Sequence, residues 1–130
     1  MIQMQRVDLP KQDNAIIFTK KRTYLIENGK YCQPLEKNFP SCDSIIAPNR
    51  IFQMTLAKHH LIKMSGLKIL YNKLGDKSAD HLIYHYFVVP EHLYDDYQVQ
   101  KIVTSDSNEA NTIPDWINTR IFQYVLKIKL

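Results

Sequence analysis

Residues Leu82 to Val89 form a run of β-branched and aromatic side chains with little alternation, closed by Pro90. A strand with one wet face alternates apolar and polar residues; a run that does not alternate is covered on both sides, as the central strand of a layered sheet is. Proline cannot donate to the ladder, so the strand ends there. The run is far shorter than the roughly 20 residues a membrane helix needs, and the stretch from Met1 to Lys11 lacks the apolar centre of a signal peptide. A chain of 130 residues has room for one core and not two, since domains typically run to about 100–150 residues. The expectation is a single mixed α/β domain over 15–130. The polar, Pro10-interrupted stretch 1–14 reads as an arm or as the remains of a preceding segment.

Two hairpins are predicted ahead of the central strand. Thr23 to Glu27 and Lys30 to Pro34 flank Asn28-Gly29, a pair that tolerates the positive φ values of a tight turn. Cys42 to Ala47 and Arg50 to Leu56 flank Pro48-Asn49 in the same manner. Ser65 is a suitable helix N-cap, Leu67, Leu70, Tyr71 and Leu74 fall on one helical face, and Gly75 supplies the stop. Beyond the central strand, Glu91 to Gln98 reads as a short helix and Ser105 to Asn111 as a loop. Pro114 opens a second helix presenting Trp116, Ile117, Ile121, Tyr124 and Val125. Leu126 to Leu130 alternates like an edge strand. There is no internal repeat or glycine-rich phosphate loop, so neither a solenoid nor a P-loop is supported.

Asp43 stands at the start of one strand, while Gln53 and Thr55 lie two apart on its hairpin partner and should share a face. A strand Asp followed across a tight turn by a polar pair at alternate positions, and then by a helix, is the layout of Mg²⁺-dependent PD-(D/E)XK nucleases. There two acidic groups hold a hard cation that activates water, and a Lys steadies the charge forming on phosphate. The bland alternative is an Asp that bonds the nearby backbone.

Whole phrases then point to a family: Tyr31-Cys32-Gln33-Pro34-Leu35, Asn38-Phe39-Pro40-Ser41-Cys42-Asp43-Ser44, Ile51-Phe52-Gln53-Met54-Thr55 and Tyr86-Phe87-Val88-Val89-Pro90. Over about Lys30 to Gln100 the chain resembles the C-terminal restriction-endonuclease-like domain of Crinkler effectors and of retrotransposon hot spot proteins. A looser likeness covers Pro114, Trp116 and Gln123-Tyr124. The resemblance implies a small restriction-endonuclease-like (PD-(D/E)XK-type) α/β core, a mixed sheet flanked by helices. It also implies a site at Asp43, Gln53, Thr55 and His60, with Mg²⁺ held by Asp43, Gln53 and Glu36. Gln53 stands where active nucleases often carry a carboxylate and Thr55 where they carry the Lys, so the motif is degenerate. Lys58 or Lys63 could replace that Lys.

Lys and Arg exceed Asp and Glu ten to five over residues 1–65, against seven to eight in the remainder. Such asymmetry suits a polyanion, because cations that neutralise phosphates release counterions. Lys20, Lys21 and Arg22 form a short basic cluster whose simpler reading is a solvated turn. His59 and His60 point to opposite faces of any strand, so one of them at most joins the site. His81 and His85 read as core or strand-end histidines, Tyr84, Tyr86 and Phe87 as packing, and Cys32 and Cys42 as small core hydrophobes without a disulfide. The function expected is a nuclease-like effector domain that binds DNA in the nucleus with weak or lost cleavage, delivered to a host cell as part of a longer protein. The alternative is an inactive interaction module, homodimerising through an aromatic surface near Trp116 and Tyr124. No membrane partner is expected.

Overall fold

The computed structural model describes residues 2–4, 14–74, 82–103 and 113–128. Among these described residues nine strands and three short α-helices follow one another as β1 (Ile2–Met4), β2 (Ile16–Phe18), β3 (Tyr31–Pro34), β4 (Ser44–Ile46), β5 (Arg50–Met54), β6 (Ile62–Lys63), α1 (Met64–Ile69), β7 (Ile83–Pro90), α2 (Glu91–Tyr94), β8 (Ile102–Val103), α3 (Asp115–Arg120) and β9 (Ile121–Ile128). Seven strands make one mixed sheet in the order β1-β9-β7-β5-β4-β3-β2, and β6 pairs with β8 in a small second sheet. Strands β5, β7, β9 and β1 are parallel, with Gln53 opposite Phe87 and His85 opposite Gln123. The expectation of a mixed α/β architecture is met, and β7 is an interior strand, third in the order and paired on both sides.

β7 separates two apolar layers. Ile83, Phe87 and Val89 belong to the main core with Phe18, Ile45, Ile51 and Val125, and α1 and α3 close it with Leu67 and Ile117. On the other face Tyr86 packs with Ile46, Phe52 and Tyr124, and the rings of Phe52 and Tyr86 stack at 5.1 Å. Among the described residues, the helices contribute to the first layer alone. Trp116 therefore lies on one side of the sheet, edge-on to Tyr71 at 4.9 Å, and Tyr124 on the other. They do not form the single aromatic surface expected from the sequence.

The second hairpin is present, with β4 and β5 antiparallel across Pro48-Asn49. The first is not. Asn28-Gly29 does turn, with Gly29 at φ +78°, but Thr23–Leu25 is a 3-10 turn and β3 pairs instead with β2 and β4. The helix expected from Ser65 begins at Met64, with Lys63 as its cap and the Lys63 N–H held by the Ser41 hydroxyl. Its second half gives way to a 3-10 turn at Tyr71–Lys73, and Gly75 lies outside the described residues, as do His81 and the loop 105–111. α2 stops at Tyr94, short of Gln98.

Two corrections concern the ends of the chain. Ile2–Met4 is a parallel strand on β9 rather than part of a free arm. The helix opened by Pro114 ends at Arg120, and Ile121, Tyr124 and Val125 lie on β9, an interior strand that pairs along its whole length with β7. β-branched and aromatic residues gain more from packing on both pleated faces of a central pair than from a helix that restricts their χ1 rotamers. Cys32 and Cys42 are buried free thiols, Cys32 on β3 and Cys42 just before β4, and burial pushes the Cys42 thiol upward.

Candidate polar site on the core face of the central strands

Alternation along β5 turns Ile51 and Gln53 toward the main core, so an amide is carried into an apolar layer at 3% exposure. An amide there must find partners or lose its hydration unrecompensed. Gln53 finds two. Its Oε1 lies 2.6 Å from His85 Nε2, and its Nε2 lies 3.2 Å from His60 Nδ1. His85 reaches it from the middle of β7 and is fully buried. His60 reaches it from the segment that leaves β5, half-buried, with its ring tilted against Phe87 at 6.2 Å.

The His60 end is tied a second time. Its backbone N–H donates to Gln100 Oε1 at 2.6 Å, and Gln100 Nε2 donates to the carbonyls of Gln98 and, at 3.4 Å, Lys58. Gln100 is itself locked by Gln123 on β9: the Gln100 N–H donates to Gln123 Oε1 at 2.8 Å, and Gln123 Nε2 donates to the Gln100 carbonyl at 2.9 Å. Three glutamines and two histidines thus fasten the exposed run Lys58-His59 and the half-buried His60 onto the sheet, through Gln53 near the C-terminal end of β5 and through His85 and Gln123 in the N-terminal halves of β7 and β9.

The other residues singled out from the sequence are placed differently. Asp43 is exposed, and its Oδ2 accepts the Met54 N–H at 2.6 Å while its own N–H donates to Phe52 O. That is the backbone-bonding role of a strand-end Asp. The Thr55 hydroxyl turns back onto Ala57, accepting its N–H at 3.0 Å, so Thr55 does not share hydrogen bonds with Gln53. Glu36 follows β3, toward the β2 edge of the sheet, where it accepts the Lys20 N–H at 3.0 Å; that bond holds its carboxyl below the usual range. Among the described residues no three His, Cys, Asp or Glu side chains stand together as ligands for an ion. Asp43 Oδ2 is engaged by a backbone N–H and Gln53 Oε1 by His85, and an uncharged amide adds no compensating charge. The set as arranged does not fit the ion.

His85, Gln100 and Gln123 belong to the site although the sequence did not single them out for it. The signal available was a polar residue at an inward position of each of three apolar strands or their neighbours, each of which needs a buried partner.

Burial, and secondarily the charge of His60, pull the His85 pKa from 6.5 down to about 3. The unfolded chain therefore takes up this proton first as pH falls, and stability is lost between about pH 6.5 and about pH 3 at up to about 1.4 kcal/mol per pH unit. Urea unfolding at a series of pH values should show this slope, and His85→Gln should flatten it; equal slopes in the two proteins would remove His85 as its source.

No family model, curated protein or solved structure matches the chain.

Proposed function

We propose that the chain is a nuclease-like domain that binds nucleic acid, DNA in the first place and in the nucleus, through the basic segment at His60, with metal-dependent cleavage weak or lost. The observation that carries this reading is the mounting of Lys58, His59 and His60. A largely buried five-residue polar network forgoes part of the apolar core to hold the short segment of Lys58, His59 and half-buried His60 in one place, and a held loop that offers an ammonium and imidazole N–H donors is what phosphate oxygens bind. The basic surplus of residues 1–65 and the resemblance of the four phrases agree with it. The engagement of Asp43 and Gln53 supports loss of cleavage rather than of binding.

Anisotropy of labelled duplex and single-stranded DNA tests it. Affinity is expected to fall at least about tenfold between roughly 50 and 200 mM salt, and Lys58→Ala with His60→Ala to weaken binding by about another tenfold at the lower salt. DNA should stay intact in Mg²⁺, Mn²⁺ and EDTA alike. Cleavage that needs metal and vanishes in Asp43→Ala would instead establish a working nuclease, and an absence of DNA binding at low salt would refute the reading.

A second reading has its own observation. Met54, Leu56 and Ile128 are exposed, Leu56 to 84%, around an apolar concavity of about 280 Å³ that Thr55, Val88 and Pro90 complete. Exposed apolar patches rimmed by polar surface mark interaction sites. On this reading the domain is an inactive module that binds protein, itself included, with little dependence on salt; salt-insensitive self-association weakened by Leu56→Ser would favour it.

A further inference from the structure

We infer that Gln53 is a positioning residue: its buried amide fixes which ring nitrogen of His60 carries the proton, so that neutral His60 presents Nε2–H outward as a donor for an anionic phosphate oxygen and offers no lone pair to a metal cation. The phosphate part rests on the nucleic-acid reading; the proton's position does not.

The argument starts at His85. A neutral imidazole has one N–H and one bare nitrogen. His85 Nε2 faces Gln53 Oε1 at 2.6 Å, whereas His85 Nδ1 is buried without a partner. With the proton on Nε2, that N–H meets the amide oxygen and only a lone pair is left unmet at Nδ1. With the proton on Nδ1, a buried N–H is orphaned, the rarer and costlier defect. His85 therefore donates from Nε2, and the Gln53 oxygen is committed to it.

Because the amide has one oxygen and one NH₂, its other end must be a donor, and that end lies 3.2 Å from His60 Nδ1. His60 Nδ1 accepts, so the proton of the neutral ring sits on Nε2. The His60 backbone N–H is already spent on Gln100 and one side of the ring faces Phe87. Of the N–H groups of His60, Nε2–H is the one left for a ligand. Residue 53 thereby selects the ligand. A carboxylate there would accept from both histidines, move the His60 proton to Nδ1 and turn a bare Nε2 outward, which suits a metal ion. Gln53 reverses that polarity without moving a ring.

Long-range ¹⁵N–¹H correlation spectra of the full chain, taken above the histidine titration range and with His60→Gln assigning the signal, test this directly. His60 is expected as the Nε2–H tautomer in the wild type and as Nδ1–H in Gln53→Glu. Inorganic phosphate should shift the His60 signals of the wild type, and Mn²⁺ should broaden them preferentially in Gln53→Glu. A wild-type His60 protonated at Nδ1 overturns the inference, even if Gln53→Glu fails to fold; so does a wild-type ring that Mn²⁺ broadens and phosphate leaves unshifted. The predicted tautomer and phosphate response, found in a chain that retains no oligonucleotide, would sink the nucleic-acid reading and leave the assignment of Gln53 standing.

Discussion

Gly66→Ala is expected to destabilise the domain by about 4 kcal/mol, although the substitution replaces a poor helix former by the best one. In an exposed helix interior alanine gains about 1 kcal/mol over glycine. Gly66, however, is buried in α1 where the helix lies against the Pro40 turn. A Cβ built there would sit 1.8 Å from the Pro40 carbonyl oxygen and 2.7 Å from its carbon. Both atoms are backbone, so no side chain can swing away, and either the helix or the turn must move. The same turn carries Ser41, with φ +55° and a hydroxyl that accepts the Lys63 N–H, so a shift there also loosens the start of α1. Overpacking against fixed atoms costs typically 1–3 kcal/mol and more where the backbone is involved. Gly29→Ala is the contrasting case: nothing lies within 4 Å of its would-be Cβ, and only the positive φ opposes it, at about 1 kcal/mol. Urea unfolding followed by the fluorescence of Trp116, the chain's single tryptophan, reads both variants. A Gly66→Ala protein as stable as the wild type would show that α1 does not press on Pro40 as described.

Neither contact could be read from the sequence, and the reason is general to this chain. What was legible was local: the unalternating run that became β7, the hairpin across Pro48-Asn49, the glycine at a positive φ, the proline that opens α3. What was not legible depended on partners far along the chain. Tyr31–Pro34 would suit a hairpin with the residues before Asn28, yet it takes Ile16–Phe18 and Ser44–Ile46 as neighbours, which no local pattern announces. Ile121, Tyr124 and Val125 follow α3 at spacings that suit a helix face, and only an eight-residue pairing with β7 decides in favour of a strand. The site divides in the same manner. Gln53 was legible as half of a polar pair with Thr55, and His60 through the family resemblance, whereas His85, Gln100 and Gln123 come to them from 32 and 40 residues beyond Gln53 and His60, and from 23 beyond Gln100. Asp43 was legible as a strand-end residue, and its bond to the Met54 amide is the plainer of the two roles its position allowed.

Removal of the amide that joins the histidines should be the costliest polar substitution in the molecule. Gln53→Leu keeps much of the side-chain volume but leaves the buried His85 Nε2–H facing hydrocarbon, and it leaves the His60 ring without its amide partner, so that His60 is held by its backbone bond to Gln100. A buried donor stripped of its acceptor forfeits the full desolvation cost of the group, about 1–3 kcal/mol, and the neighbouring bonds of a connected network weaken with it. The expected loss is about 3 kcal/mol. His85→Phe alone should cost a comparable amount, since it orphans the Gln53 oxygen. The informative protein is the double variant. When both partners of a buried hydrogen bond become apolar and fit the space, the penalty largely disappears, so Gln53→Leu with His85→Phe should be more stable than either single variant, with a coupling of about 2 kcal/mol between the two positions. Additive losses would mean that the two side chains do not share a bond. Recovered stability without recovered DNA affinity would separate what the network does for the fold from what it does for His60, because the double variant restores the packing of β5 against β7 and leaves the His60 ring without the amide that orients it.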